Sequence, residues 1–311
     1  MNVVIDKLYA QLEERGLRGR VVSIDRLYDL QCDIEDQHAR GAFDEDFYRE
    51  RLVVFDFNPP SNMAAKTVIV VAVPRPQTRV EFTWNDKRLS LILPPTYLQY
   101  DGILRRIERL LGESLAPEGH RAVLAKLPLK ALAVRSGLGA YGRNNICYVP
   151  GMGSFLQLAA CYTDLSCESD DWREPVMMEA CENCSACVRK CPTRAIPTER
   201  FLLHAERCIV FHNERPANHP FPQWLDLSSH DCILGCMYCQ RFCPVDKEFL
   251  GWFEGDERFS RDETSLILNG CSADELPRET LEKLERLDLV SDLAILPRNL
   301  RVLFQLDKPG R

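Results

Sequence analysis

Apolar and polar positions follow two rhythms along this chain. Thr67-Val68-Ile69-Val70-Val71-Ala72-Val73 is a continuous apolar run stopped by Pro74 and Pro76, the pattern of a buried strand. Val21-Val22-Ser23-Ile24 predicts a short strand, followed by a helical pattern from Asp25 and a second helix from about Asp44 to before Asn58-Pro59-Pro60. Residues 80–84 and 89–93 flank Asn85-Asp86-Lys87-Arg88 as a hairpin. Over residues 97–111 the rhythm turns helical, with Ile103, Leu104, Ile107, Leu110 and Leu111 on one side. Residues 127–136 predict another helix closed by Gly137, and residues 145–149 and 155–162 predict strands around Pro150-Gly151-Met152-Gly153. In the tail, Leu281, Leu284 and Leu287, then Leu293, Leu296, Leu300 and Leu303, predict a helical hairpin. The mixture predicts an α+β fold. Three consecutive parts are expected: 1–174, a cysteine-rich segment 175–250 set off by the acidic residues 168–174, and the helical tail 251–311.

Composition narrows the chemistry. The 311 residues, 45% hydrophobic and 27% charged, are those of an ordinary globular protein with room for about two domains. A net charge of −7 and a pI near 5.5 argue against a broad nucleic-acid surface. The N-terminus, Met-Asn-Val-Val-Ile-Asp-Lys-Leu, has neither a basic start with an apolar core nor an early twin-arginine pair. No apolar run has the length of a bilayer span, so a cytoplasmic protein without a membrane partner is expected. In that compartment 14 cysteines point to metal rather than to disulfides.

The cysteine spacing says which metal. Cys181-x2-Cys184-x2-Cys187-x3-Cys191-Pro192 is the bacterial ferredoxin run: a compact turn brings three thiolates to one cube and carries the fourth to a second cube. Cys236-x2-Cys239-x3-Cys243-Pro244 is a second run, short by one ligand, which Cys208 can supply. The expected sets are Cys181, Cys184, Cys187 and Cys243 for one 4Fe–4S cluster, and Cys191, Cys208, Cys236 and Cys239 for the other. Cys232 competes with Cys208 for the ligand role. Paired zinc sites are the bland alternative, disfavoured by the two Cys-Pro endings. Cys32, Cys147, Cys161, Cys167 and Cys271 lack ligand spacing and read as inert thiols.

Two further motifs match by letter. Gly137-Leu138-Gly139-Ala140-Tyr141-Gly142 fits a dinucleotide fingerprint, but it follows a predicted helix and runs into a strand, the reverse of what a phosphate site needs. Asp164 stands at a suitable distance for the acidic partner, and distance alone carries little. Asp36-Gln37-His38-Ala39-Arg40-Gly41 fits a cobalt-histidine motif, yet no Gly-Gly pair occurs anywhere in the chain. His38 therefore reads as a surface residue on the polar face of a helix.

Taken in order, these features form a larger pattern. Gly137-Leu138-Gly139-x2-Gly142-Arg143-Asn144 precedes Gly153-Ser154-Phe155, then Thr163-Asp164-Leu165, then the first cysteine run, then Arg207-Cys208-Ile209, then Gly235-Cys236 and the second run. This resembles the epoxyqueuosine reductase family, cobalamin-dependent enzymes also related to reductive dehalogenases, over roughly residues 60–250. The resemblance implies a nitroreductase-like α+β domain that holds base-off cobalamin, followed by a ferredoxin-like module with two 4Fe–4S clusters and, here, a short helical tail. Carried over, Gly137, Gly139, Tyr141, Gly142, Arg143 and Asn144 would lie in the loop beside the corrin, with Ser154 and Phe155 on the neighbouring strand. Electrons would come from an external low-potential donor of ferredoxin or flavodoxin type and pass through the clusters to cobalt.

The chain also departs from that family. Its proton donor is an aspartate upstream of the glycine loop, where this chain has Ala125-Lys126-Leu127-Pro128-Leu129-Lys130, and no aspartate occurs between Asp101 and Asp164. Residues 251–311 hold 13 Asp/Glu against 9 Lys/Arg, which makes a poor tRNA arm. A reductase of an unknown substrate other than tRNA is therefore expected, with Tyr141 as acid and Arg143 as its basic neighbour. A non-catalytic electron carrier serving a corrinoid partner, and a true epoxyqueuosine reductase with a relocated acid, are the alternatives.

Overall fold

The computed structural model describes residues 3–305. Nine strands run in chain order: β1 (Arg18–Ser23), β2 (Thr67–Pro74), β3 (Gln77–Trp84), β4 (Lys87–Leu93), β5 (Ala122–Leu124), β6 (Ala140–Tyr141), β7 (Cys147–Tyr148), β8 (Leu156–Thr163) and β9 (Phe253–Phe259). They fall into two compact units, each built from separated stretches of chain. Residues 1–75, 101–185 and 196–205 make the first, and residues 76–100, 186–195 and 206–311 the second. The two units thus interleave along the sequence.

In the first unit β1, β2, β8 and β5 form one antiparallel sheet in that order. β2 reads as unbroken hydrophobic sequence because both of its faces are covered. Val68, Val70 and Ala72 enter one core with Leu27, Leu30, Leu132 and Leu156. Ile69, Val71 and Val73 enter the other, with Leu8, Leu12, Ile107 and Leu111. Helices Arg26–Ala39 and Leu129–Arg135 supply the first layer, and Val3–Glu13 with Tyr100–Leu115 the second. In the latter, Ile103, Ile107, Leu111 and Leu115 recur every fourth residue on the buried stripe. Among the described residues this sheet pairs antiparallel throughout, without the parallel crossover unit that a dinucleotide fold places around such a motif.

The second unit holds the sheet β4-β3-β9, with β3 and β9 parallel. The tail is therefore not a helical hairpin alone. It opens with a strand on β3, where Phe259 stacks on Phe82 at 4.7 Å, and continues as helices Arg261–Leu268, Arg278–Arg286 and Leu296–Leu303. Its leucines at helical spacing, among them Leu284, Leu287, Leu296 and Leu300, close the core over this sheet. Residues 306–311 of the expected tail lie outside the described residues. No helix among the described residues is long and apolar enough to cross a membrane.

Candidate redox centre

The first unit builds the glycine loop. Helix Leu129–Arg135 ends at Ser136, Gly137 takes φ +76, and the chain turns into the two-stranded ladder β6–β7, pairing Ala140 with Tyr148 and Tyr141 with Cys147. Gly139 and Gly142 are required for space. A Cβ on Gly139 would stand 2.5 Å from the Tyr148 carbonyl oxygen, and one on Gly142 would stand 2.5 Å from Asn144 Oδ1 and from the Tyr148 ring. Asn144 is buried and pins the turn: its Nδ2 donates to Tyr148 Oη at 3.0 Å and its Oδ1 accepts from the Ile146 amide at 3.3 Å. The glycines thus let a short hairpin fold onto itself, which explains the spacing without a nucleotide. Ser154 and Phe155 are both buried, and Phe155 so fully that its ring is left a packing role.

Tyr141 is half-buried in this loop. Its amide donates to the Val176 carbonyl at 2.9 Å, its carbonyl accepts from the Met178 amide at 2.8 Å, and its ring lies 5.1 Å from that of Phe201. Val176, Met177 and Phe201 are exposed, so an apolar patch opens beside the phenol. Burial pushes the phenol well above its usual value; the Cys147 thiol and the Asp33 carboxylate add to this, and the Arg135 guanidinium works against it. The basic neighbour of Tyr141 is therefore Arg135, a correction to the expected pairing with Arg143. The physical reason is direction, for Arg143 turns to the cysteine run. Its amide donates to Cys181 Sγ at 3.4 Å, its Nε to the Cys184 carbonyl at 3.1 Å, and its Nη2 to the carbonyls of Cys181 (2.8 Å) and Glu182 (3.4 Å).

Sequence reasoning missed Asp33, Arg135 and Trp172. Arg135, only 7% exposed, makes a two-pronged pair with Asp33 at 2.6 and 2.8 Å and lies over the Trp172 ring. An arginine ending a helix and an aspartate about a hundred residues away carry no joint signal in one sequence. His38 hydrogen-bonds Glu45 at 2.9 Å and stacks on Tyr48 at 3.5 Å. Asp164 is likewise engaged, by His120 and the Arg121 amide.

The second unit gathers thiols. Cys208 precedes helix Ile209–Asn213, and Cys239 lies within helix Tyr238–Arg241, which packs on helix Ala186–Lys190 next to Cys191. Burial pushes the Cys208 thiol up to about 11, and the nearby Cys191 thiol contributes. Cys236 is pushed up by burial, by Asp231, and by Cys208 and Cys239. Four cysteines of one expected set therefore feel one another. Cys232 is buried, and burial and the neighbouring Asp231 carboxylate push its thiol well up.

The donor set can be tested against iron from the hydrogen bonds it receives. Cys191 Sγ accepts from the Ala195 amide at 3.3 Å and Cys181 Sγ from the Arg143 amide at 3.4 Å. Amide donors aimed at sulfur stabilise thiolate, the form that binds a cluster. Among the described residues no three Cys, His, Asp or Glu groups converge as a single metal ion requires. Cys147 and Cys161, by contrast, are pushed up to about 12 by burial alone in the main and fit the reading of inert thiols.

Comparison with known proteins agrees with this chemistry. Residues 180–246 match the family described as a 4Fe-4S double cluster binding domain. The epoxyqueuosine reductase of Synechococcus sp. is 34% identical over 146 residues, covering 46% of this chain and 44% of the relative. That of Cellulophaga algicola is 31% identical over 148 residues, 47% and 46% of the two chains. Each match thus spans about half the length of the curated relative. The structure of epoxyqueuosine reductase from Streptococcus thermophilus matches 98% of this chain and 81% of its own at 19% identity, with a TM-score of 0.65. An epoxyqueuosine reductase solved with a tRNA stem loop matches 97% and 80% at 20% identity and TM-score 0.64. The chain thus resembles the epoxyqueuosine reductases in sequence over about half its length and in α+β fold over nearly all of it. The expectation that tRNA is no partner gains no support from these neighbours.

Proposed function

We propose that this relative of the epoxyqueuosine reductases is a cytoplasmic, cobalamin-dependent reductase acting on a substrate other than epoxyqueuosine. Cys181, Cys184, Cys187 and Cys243 would hold one 4Fe–4S cluster, and Cys191, Cys208, Cys236 and Cys239 the other. One observation carries the reading: the glycine loop reaches the ferredoxin run, with the Arg143 amide on Cys181 Sγ. A cofactor held by that loop would sit near the ligands of the first cluster, which would supply its electrons. The apolar patch of Val176, Met177 and Phe201 at the loop fits the face of a flat macrocycle. Bound cobalamin supplies a strongly reducing, nucleophilic cobalt. The base-off state of the cofactor belongs to this reading through the family resemblance alone.

The chain's own work is to position and to protonate. Gly137, Gly139, Gly142 and Asn144 hold the loop rigid. Tyr141 is our candidate proton donor: its raised phenol stays protonated, with Arg135, paired to Asp33, offsetting only part of that rise. An external low-potential carrier of ferredoxin or flavodoxin type completes the path.

A different substrate is favoured by the missing acid. The Bacillus subtilis epoxyqueuosine reductase, 20% identical with TM-score 0.65, was solved with its catalytic aspartate loop swung out of the active site. Residues 125–130 of this chain contain no aspartate. The second reading, epoxyqueuosine reduction with a relocated acid, is favoured by the stem-loop complex of a neighbour with this fold. The test is anaerobic reconstitution with iron and sulfide, gel filtration with cobalamin, and an assay on epoxyqueuosine-containing tRNA. Retained cobalamin without turnover of that tRNA supports the first reading. Turnover establishes the second, and failure to retain cobalamin leaves a non-catalytic electron carrier.

A further inference from the structure

Arg143 makes more contacts with the cysteine turn than a loop residue needs. The turn is closed by the Cys184 amide on the Cys181 carbonyl at 3.3 Å. The Arg143 guanidinium then takes that same carbonyl, at 2.8 Å, together with those of Glu182 (3.4 Å) and Cys184 (3.1 Å). Three backbone oxygens are gathered by one planar cation, two at Nη2 and one at Nε, and the fixed fork sets their directions in a way a freely rotating ammonium does not. The backbone of the same residue donates to Cys181 Sγ. One residue thus touches the turn through both its main chain and its side chain, and sits two positions from Tyr141.

We infer that Arg143 is the positioning residue that clamps the glycine loop to the Cys181–Cys184 turn and sets the reduction potential of the cluster bound there. The inference rests on the iron–sulfur reading above. Adding an electron to a cluster adds negative charge. A fixed cation and an amide donor on a ligand sulfur both favour the reduced form, so they raise its potential. The clamp also fixes the loop against the cluster ligands, so the electron's starting point and the acceptor's seat move together. Arg143 supplies neither proton nor electron in this account.

The test is an anaerobic redox titration followed by electron paramagnetic resonance on the reconstituted full chain, comparing the parent with Arg143→Gln and Arg143→Lys. Iron content is measured on the same samples. With Arg143→Gln one of the two clusters should become harder to reduce by at least tenfold in equilibrium constant, or 59 mV for one electron. The other should be unchanged. Arg143→Lys keeps the charge and loses the fork, so the potential should hold while amide hydrogen exchange at residues 181–185 speeds up. Parent-like potentials at both clusters in Arg143→Gln would overturn the inference. If Arg143→Gln fails to hold iron, Arg143→Lys decides: parent-like exchange at the turn overturns it, and faster exchange sustains it. A parent protein that binds no clusters would refute the functional reading itself, which keeps the two failures distinct.

Discussion

Gly142→Ala tests the closed glycine loop most directly. Gly142 does not carry a positive φ, so the substitution is opposed by space alone. The added Cβ would stand 2.5 Å from Asn144 Oδ1, 2.5 Å from Tyr148 Cε2 and 3.1 Å from Tyr148 Cδ2. Neither neighbour can retreat freely. Asn144 and Tyr148 are buried, and they hold each other through the Nδ2–Oη hydrogen bond at 3.0 Å. Overpacking a buried site costs about 1–3 kcal/mol, and separating the pair adds about 1 kcal/mol for the lost hydrogen bond. A total of roughly 2–4 kcal/mol should lower the melting temperature by roughly 3–6 °C in a chain of this length. The assay is thermal unfolding by circular dichroism under anaerobic conditions, with Asn144→Ala as the companion variant. Both act on one contact, so the double variant should cost less than the sum of the singles. A Gly142→Ala protein that melts with the parent would refute the close packing.

Three further outcomes are expected. The reconstituted chain should carry about eight irons; Cys208→Ala should lose iron, while Cys232→Ala and Cys271→Ala should keep it, and the reverse pattern in the first two would exchange their roles. Tyr141→Phe should bind cobalamin normally and turn over the true substrate about 100-fold or more slowly; parent-rate turnover would place the acid elsewhere. Burial pushes the Asp292 carboxyl up to about 6, against about 3.9 in an unfolded chain. The folded state then binds the proton more tightly, so this group makes the protein more stable as pH falls from above 6 toward about 4. Asp292→Asn should remove that trend and stabilise the fold at pH 8 by on the order of 1–2 kcal/mol. Denaturant midpoints at pH 5 and pH 8 check it, and a parent-like slope in the variant would refute the assignment.

Some of this molecule was legible in one dimension because the signal was local. The cysteine spacing names its metal since a cube's geometry is met within a turn of about ten residues. The strand Thr67–Pro74 and the hairpin of β3 and β4 announce themselves by β-branched runs and a polar turn. The order of the loop and the two cysteine runs was enough to reach a family resemblance. Other features depended on partners distant in sequence. Residues 253–259 are largely polar and exposed, and become a strand only because β3 offers a parallel edge, so the sequence pattern of the tail shows helices alone. The three glycines share a motif, yet one needs a left-handed φ and the others need room against Asn144 and Tyr148, which only the folded hairpin reveals. Arg143 and Arg135 were indistinguishable as basic residues near Tyr141. The chain's path turned the first to the carbonyls of the cysteine run and the second to Asp33, because a guanidinium goes where desolvated oxygens converge.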